Sequence, residues 1–256
     1  MALLGVMQAT FEAAMYSFVF LWTMALSPNK EAIQHGLVFT NLMAACMVGS
    51  LFSSWLMKHR RAEQYMPLVF GAAAAALAVP AVADLLRVPD ASLAGAPITA
   101  SGVAQLLAFC AFEVCVGVFW PSMMKMRSAH VPEEQRATII NVFRVPLNAF
   151  VCVVLYNVEA FPVWGMFALC SGLMCVALAC QVELGRLVAA GAGGGHKGGD
   201  GGTASGGGGG GDAGPAAAAA AAGGAQHHHA HAFEALATSE KDALKAGLEI
   251  TKGMHA

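Results

Sequence analysis

The most informative residues in this sequence are polar ones in apolar company. In the stretch FRVPLNAF, residues 143–150, Arg144 and Pro146 interrupt what otherwise reads as a hydrophobic helix. Thr138, Asn141, Arg144, Asn148 and Cys152 follow one another at intervals of three or four residues, so a helix places them on one face. The positions opposite (Ile139, Val142, Phe150, Val153 and Val154) are apolar and suit lipid or neighbouring helices. A guanidinium flanked by two amides presents planar, charged donors to an oxyanion. Pro146 adds a backbone carbonyl freed from the helix ladder.

Two carboxylates complete the set: Glu12 in QATFEAAMY and Glu113 in AFEVCVGVFW. Two ionised glutamates facing one cavity oppose an anion, so at least one must be protonated or paired with Arg144. The residues therefore point to substrate binding by Arg144, Asn141 and Asn148. Glu12 and Glu113 act as proton-coupling groups or as ion-pair partners of Arg144. A purely structural ion pair between Arg144 and either glutamate is the other reading, and the two are compatible.

The elements that must position these residues are membrane helices. The chain has 256 residues, of which 57% are hydrophobic and 12% charged, and its mean hydropathy is +0.60. A soluble domain carries about 25% charged residues. Apolar runs of about 20 residues, enough to cross a bilayer core, recur along the first 184 positions. Six spans are expected: Leu3 to Leu26, Ile33 to Met57, Tyr65 to Leu86, Ala100 to Met124, Thr138 to Val158 and Pro162 to Val182. The glutamates then lie roughly 14–18 Å deep and Arg144 roughly 9 Å deep, at 1.5 Å of rise per residue. Ionisable groups at such depth face a bundle interior or a water-filled cavity.

The loops KHRRAEQ (58–64) and KMRSAHVPEEQR (125–136) hold most of the loop lysine and arginine. The positive-inside rule makes those loops, and with them both termini, cytoplasmic. The first apolar run is too long for a cleavable signal peptide and lacks a basic start. A net charge of -2 is near neutral and argues for neither nucleic acid nor an acidic partner, so no nucleic-acid partner is expected. The seven cysteines all fall within spans, without metal-like spacing, and read as small hydrophobic residues. Gly49, Gly71, Gly117 and Gly172 are expected at close helix contacts, and Asn41 as interhelical glue. Asp84 sits near the outer end of its span, where a carboxylate reaches water. There is no phosphate-binding loop, metalloprotease motif or nucleophile elbow, so neither an enzyme nor a cofactor is expected.

Composition changes at 185. Residues 185–232, rich in Gly, Ala and His, read as a disordered linker, and 233–256 as a tail with a short helix. The HHHAH cluster at 227–231 is taken as compositional drift rather than a metal site.

The first and fourth spans share a local pattern, Phe11-Glu12 with Trp22 beyond it and Phe112-Glu113 with Trp120 beyond it. Three-helix repeats of inverted topology are a common construction of secondary transporters, and they would make these two spans equivalents.

FEAAMYSFVFLWTMALSP and the run from Phe112 to Val158 resemble the molybdate-anion transporter family of the major facilitator superfamily, over about residues 1–184. The resemblance implies an all-α membrane protein whose six transmembrane helices form one half of a major facilitator bundle, followed by the disordered tail. It implies a secondary active carrier that takes up molybdate across the cell membrane by alternating access. Family members have about twelve spans, and this chain resembles the second six. Its cavity would need the missing N-terminal half or a second chain. The loop signature usual after the second span of each half is incomplete here: GSLFSSWLMKHRR has Gly49, but Ser53 stands where an acidic residue is expected. A carrier of sulfate or an organic anion, and a non-transporting membrane scaffold, remain open.

Overall fold

The computed structural model describes residues 2–26, 34–85, 100–130, 133–157 and 160–194. The expected linker from 195 on, the terminal helix and HHHAH lie outside the described residues. The described chain is all helical: α1 (Ala2–Leu26), α2 (His35–His59), α3 (Ala62–Leu85), α4 (Ala100–His130), α5 (Glu133–Tyr156) and α6 (Val163–Gly194). The shortest, of 24 residues, spans roughly 36 Å at 1.5 Å per residue, more than a bilayer core of about 30 Å. Among the described residues, five helices are long and apolar enough to cross a membrane, and α5 supplies the shorter apolar run Val145–Val154. The first half of α5 carries Glu133, Glu134, Arg136, Asn141 and Arg144, which dilute its hydropathy. This is a multi-pass membrane protein.

Two helices run past their expected ends. α4 continues through KMRSAH to His130, because nothing in that segment breaks a helix until Pro132, which disfavours helical backbone in the residue before it. α6 continues to Gly194, so the division at 184/185 read from composition falls inside a helix. Leu187, Val188, Ala189 and Ala190 are compatible with helix, and Arg186 meets Glu183 at 3.4 Å one turn back.

The packing repeats. α1 packs on α5 and α6, α4 packs on α2 and α3, α3 packs on α6, and α1 touches α4. Exchanging α1 with α4, α2 with α5 and α3 with α6 leaves that scheme unchanged, as an inverted three-helix repeat requires. Phenylalanines mark the local two-fold axis. Phe11 stacks on Phe119 with ring centroids 3.8 Å apart, and Phe18 meets Phe112 at 5.0 Å. Each residue of one pair is the repeat equivalent of a residue in the other, and the pairing makes α1 and α4 antiparallel.

Of the four glycines expected at close contacts, two serve that role. A Cβ on Gly49 would collide with the backbone of Val114, and one on Gly117 with the carbonyl oxygen of Cys46. At Gly71 and Gly172 a Cβ would meet nothing within 4 Å, so the expectation fails there: these faces meet no neighbouring helix at that height. Asn41 is exposed on α2 rather than held between helices. Cys46, Cys115 and Cys170 are buried as free thiols, whereas Cys152 and Cys175 are exposed.

Candidate functional site: a buried polar line and the stripe of α5

Both glutamates are inside the bundle, Glu12 at 3% exposure and Glu113 at 1%. Helical spacing puts Gln8 one turn before Glu12, and the Gln8 Nε2 amide donates to Glu12 Oε1 at 2.7 Å. The other end of the same amide is used as well: Gln8 Oε1 accepts from Arg127 Nη1 at 2.9 Å. A half-buried guanidinium at the end of α4 is thus connected to a buried carboxylate on α1 through one glutamine. A hydrogen bond with a charged partner is worth about 1.5–3 kcal/mol, so this line is a substantial tie between the two central helices.

Arg127 was not among the expected site residues, because the 125–136 segment reads as a basic loop. The signal was present in the spacing. Glu113, Trp120 and Arg127 recur every seven residues and lie near one face of α4 once the helix extends that far.

The α5 stripe lies elsewhere. The backbone places Asn141, Arg144, Asn148 and Cys152 at successive turns of one helix, and the side chains of Asn141 and Arg144 lie outside the described ones. Asn148 and Cys152 are exposed. α5 buries Leu147 and Val154 and packs on α1. The structure therefore separates Asn148 from the glutamates: the amide is on the outer surface of the bundle, and both carboxylates are within it. A solute held at Asn148 would need a second wall from outside these six helices.

Other buried polar groups act as interhelical ties. Tyr65 Oη and Ser122 Oγ are 2.7 Å apart between α3 and α4, and Ser171 Oγ donates to the Ala74 carbonyl at 2.9 Å between α6 and α3.

Comparison with known proteins agrees with this architecture. Residues 1–109 match a major facilitator family described as sugar transporters with 12 TM. The chain is 31% identical over 190 residues to the molybdate-anion transporter of Xenopus laevis, covering 73% of this chain and 40% of the relative. It is 32% identical over 194 residues to that of Danio rerio, covering 71% and 38%. With that of Takifugu rubripes it is 33% identical over 150 residues, covering 59% and 29%. The chain thus spans about two fifths of the length of the first relatives it matches. No solved structure matches it significantly.

Proposed function

Since the chain belongs to the molybdate-anion transporter family of the major facilitator superfamily, we propose that it forms one half of a secondary active carrier that takes up molybdate at the cell membrane. One observation carries this reading. Asn148 and Cys152, the described side chains of the α5 stripe, are exposed on a six-helix unit that matches only about two fifths of its relatives. A polar helix face in a membrane needs protein or water against it, and a facing half-carrier would supply both.

In this mechanism Arg144 meets the oxyanion with its planar fork, and Asn141 and Asn148 donate amide hydrogens beside it. Glu12 and Glu113 are the proton-coupling groups, or in the other state the ion-pair partners, within the bundle. Gln8 links Glu12 to Arg127, so a change of charge on Glu12 would be felt where α1 and α4 meet. Both termini and the basic loops are cytoplasmic in this reading. A cysteine placed at Gln64 should then resist impermeant thiol reagents in intact cells, while one placed at Asp90 should react; the reverse pattern overturns the orientation.

The decisive experiment is uptake. Expressed alone in cells unable to import molybdate, the chain should not rescue, and co-expression with a matching first half should. Full rescue without a partner contradicts the half-carrier reading. Excess sulfate should leave uptake unchanged, whereas equal competition would make the protein a broader oxyanion carrier. In the complete carrier, Arg144→Lys should weaken affinity and Arg144→Ala should abolish uptake. A well-expressed double variant that neutralises Arg144 and its glutamate partner should stay inactive; wild-type uptake by it would remove Arg144 from the substrate site.

A further inference from the structure

Where α2 ends and α3 begins, the chain lines a cleft of about 940 Å³ together with the ends of α4 and α6. Its wall holds the cations Lys58, Arg60, Arg61 and Lys125, and a single carboxylate, Glu63. Internal bonds consume little of that charge. Glu63 is engaged by His130 at 3.1 Å, and Lys125 Nζ donates to the Met57 carbonyl at 3.2 Å. Among the described residues Lys58, Arg60 and Arg61 make no side-chain hydrogen bond or ion pair, and all three are exposed. Three cations packed within four positions repel one another and gain from an anion that bridges them.

The flanks of the cleft define its depth. One turn before Lys58, Trp55 is 55% exposed, and its ring lies against the His59 ring with centroids 4.7 Å apart. Exposed tryptophan at the end of a membrane helix belongs at the headgroup level. One turn deeper, Leu51 and Phe52 are exposed, at 73% and 49%, on a surface suited to acyl chains. The inner wall includes Met57, Met126 and Val188. A cationic cleft at headgroup height with an apolar approach from below suits a phosphorylated lipid headgroup.

We propose that this cleft is a binding site for a phosphate polyanion, presented as the headgroup of an acidic phospholipid and gripped by Lys58, Arg60, Arg61 and Lys125. It is distinct from the α5 stripe and independent of which anion the carrier moves. The bound lipid would join the ends of α2 and α4 by neutralising the charge they share, against the uncharged wall that α6 supplies.

The test uses the full chain in nanodiscs of phosphatidylcholine, with or without phosphatidylinositol bisphosphate, and counts bound lipid by native mass spectrometry. The wild-type chain should retain the bisphosphate lipid in preference to phosphatidylcholine. Lys58→Gln, Arg60→Gln and Arg61→Gln should each weaken retention roughly fivefold, the factor equivalent to about 1 kcal/mol per basic residue near a membrane surface, and the triple variant about a hundredfold. Because these side chains are exposed, the triple variant should unfold at the wild-type temperature. Arg186→Gln removes one cation from the side of α6, where Arg186 is paired with Glu183, and should leave retention unchanged. Equal losses from Arg186→Gln and from a cleft variant would reduce the effect to diffuse attraction and overturn the site. Free inositol trisphosphate should compete only weakly; competition as strong as the lipid's would assign the cleft to a soluble phosphate and overturn the lipid reading. Displacement of the lipid by molybdate would instead make the cleft a vestibule of the transport path, which also overturns it.

Discussion

α2 and α5 hold equivalent places in the two three-helix repeats, yet they are fastened differently. α2 crosses α4 at Gly49 and Gly117, where each glycine lies against the backbone of the facing helix. α5 crosses α1 without a glycine of its own, and the residue of α1 equivalent to Gly117 is Tyr16. Among the described residues, α5 is held by the side chains of Leu147, Phe150 and Val154. Backbone contact between small residues gives one fixed crossing, because neither surface has rotamers to adjust. Side-chain contact leaves room to repack. The α2–α4 arm is therefore fixed at its crossing, whereas the α1–α5 arm, whose α5 carries Asn141, Arg144, Asn148 and Cys152, has more room to repack.

The sharpest way to break this contrast is to fill the glycine crossing. Gly117→Ala and Gly49→Ala should each destabilise the bundle by about 1–3 kcal/mol, the usual penalty of overpacking, read as a lower unfolding temperature of the full chain in detergent. The two together should prevent assembly. If both single variants melt like the wild type, α2 and α4 do not meet at these glycines.

A second effect, somewhat smaller, tests the polar line between the two arms. Gln8→Leu removes the amide that joins Arg127 to Glu12 and leaves buried polar groups with fewer partners, at a cost of about 1–3 kcal/mol. Glu12→Gln keeps an acceptor for Gln8 and should cost less. An unchanged melting temperature for Gln8→Leu would mean that the line is not a structural tie.

Thiol labelling sharpens the contrast without altering stability. With a membrane-permeant maleimide, Cys152 on α5 should react in the folded chain and Cys46 on α2 should not, as their exposure requires. Gly117→Ala should make Cys46 reactive, because the new methyl is forced against its carbonyl. The smallest effect is expected at Gly71, where a methyl meets nothing within 4 Å. Gly71→Ala should change stability only by the gain in helix propensity, at most about 1 kcal/mol.

Much of this was legible in the residues. Helix number and approximate span follow from apolar runs, and burial of Glu12 and Glu113 follows from their depth in runs that avoid charge. The shared Phe-Glu pattern of α1 and α4 anticipated a repeat that the packing scheme and the phenylalanine pairs display. Arg127 was misplaced because a cluster of basic residues reads as a loop, although the helix continued until Pro132. Gly71 looked like Gly117 because a glycine in a helix is the same locally whether or not another backbone passes by.

The sequence by itself determined what local periodicity and hydropathy control: an all-helical membrane chain, and a face of α5 on which Asn141, Arg144, Asn148 and Cys152 align. Tertiary structure alone decided which surfaces meet. Gln8 and Arg127 stand 119 positions apart, and no pattern within either helix specifies that one amide will bridge them. The same holds for the outward position of Asn148, for the close approach of Gly49 to Val114, and for the cleft that gathers Lys58, Arg60, Arg61 and Lys125. Each depends on the orientation of whole helices about a shared axis, which is set by the sum of all their contacts and by none of them singly.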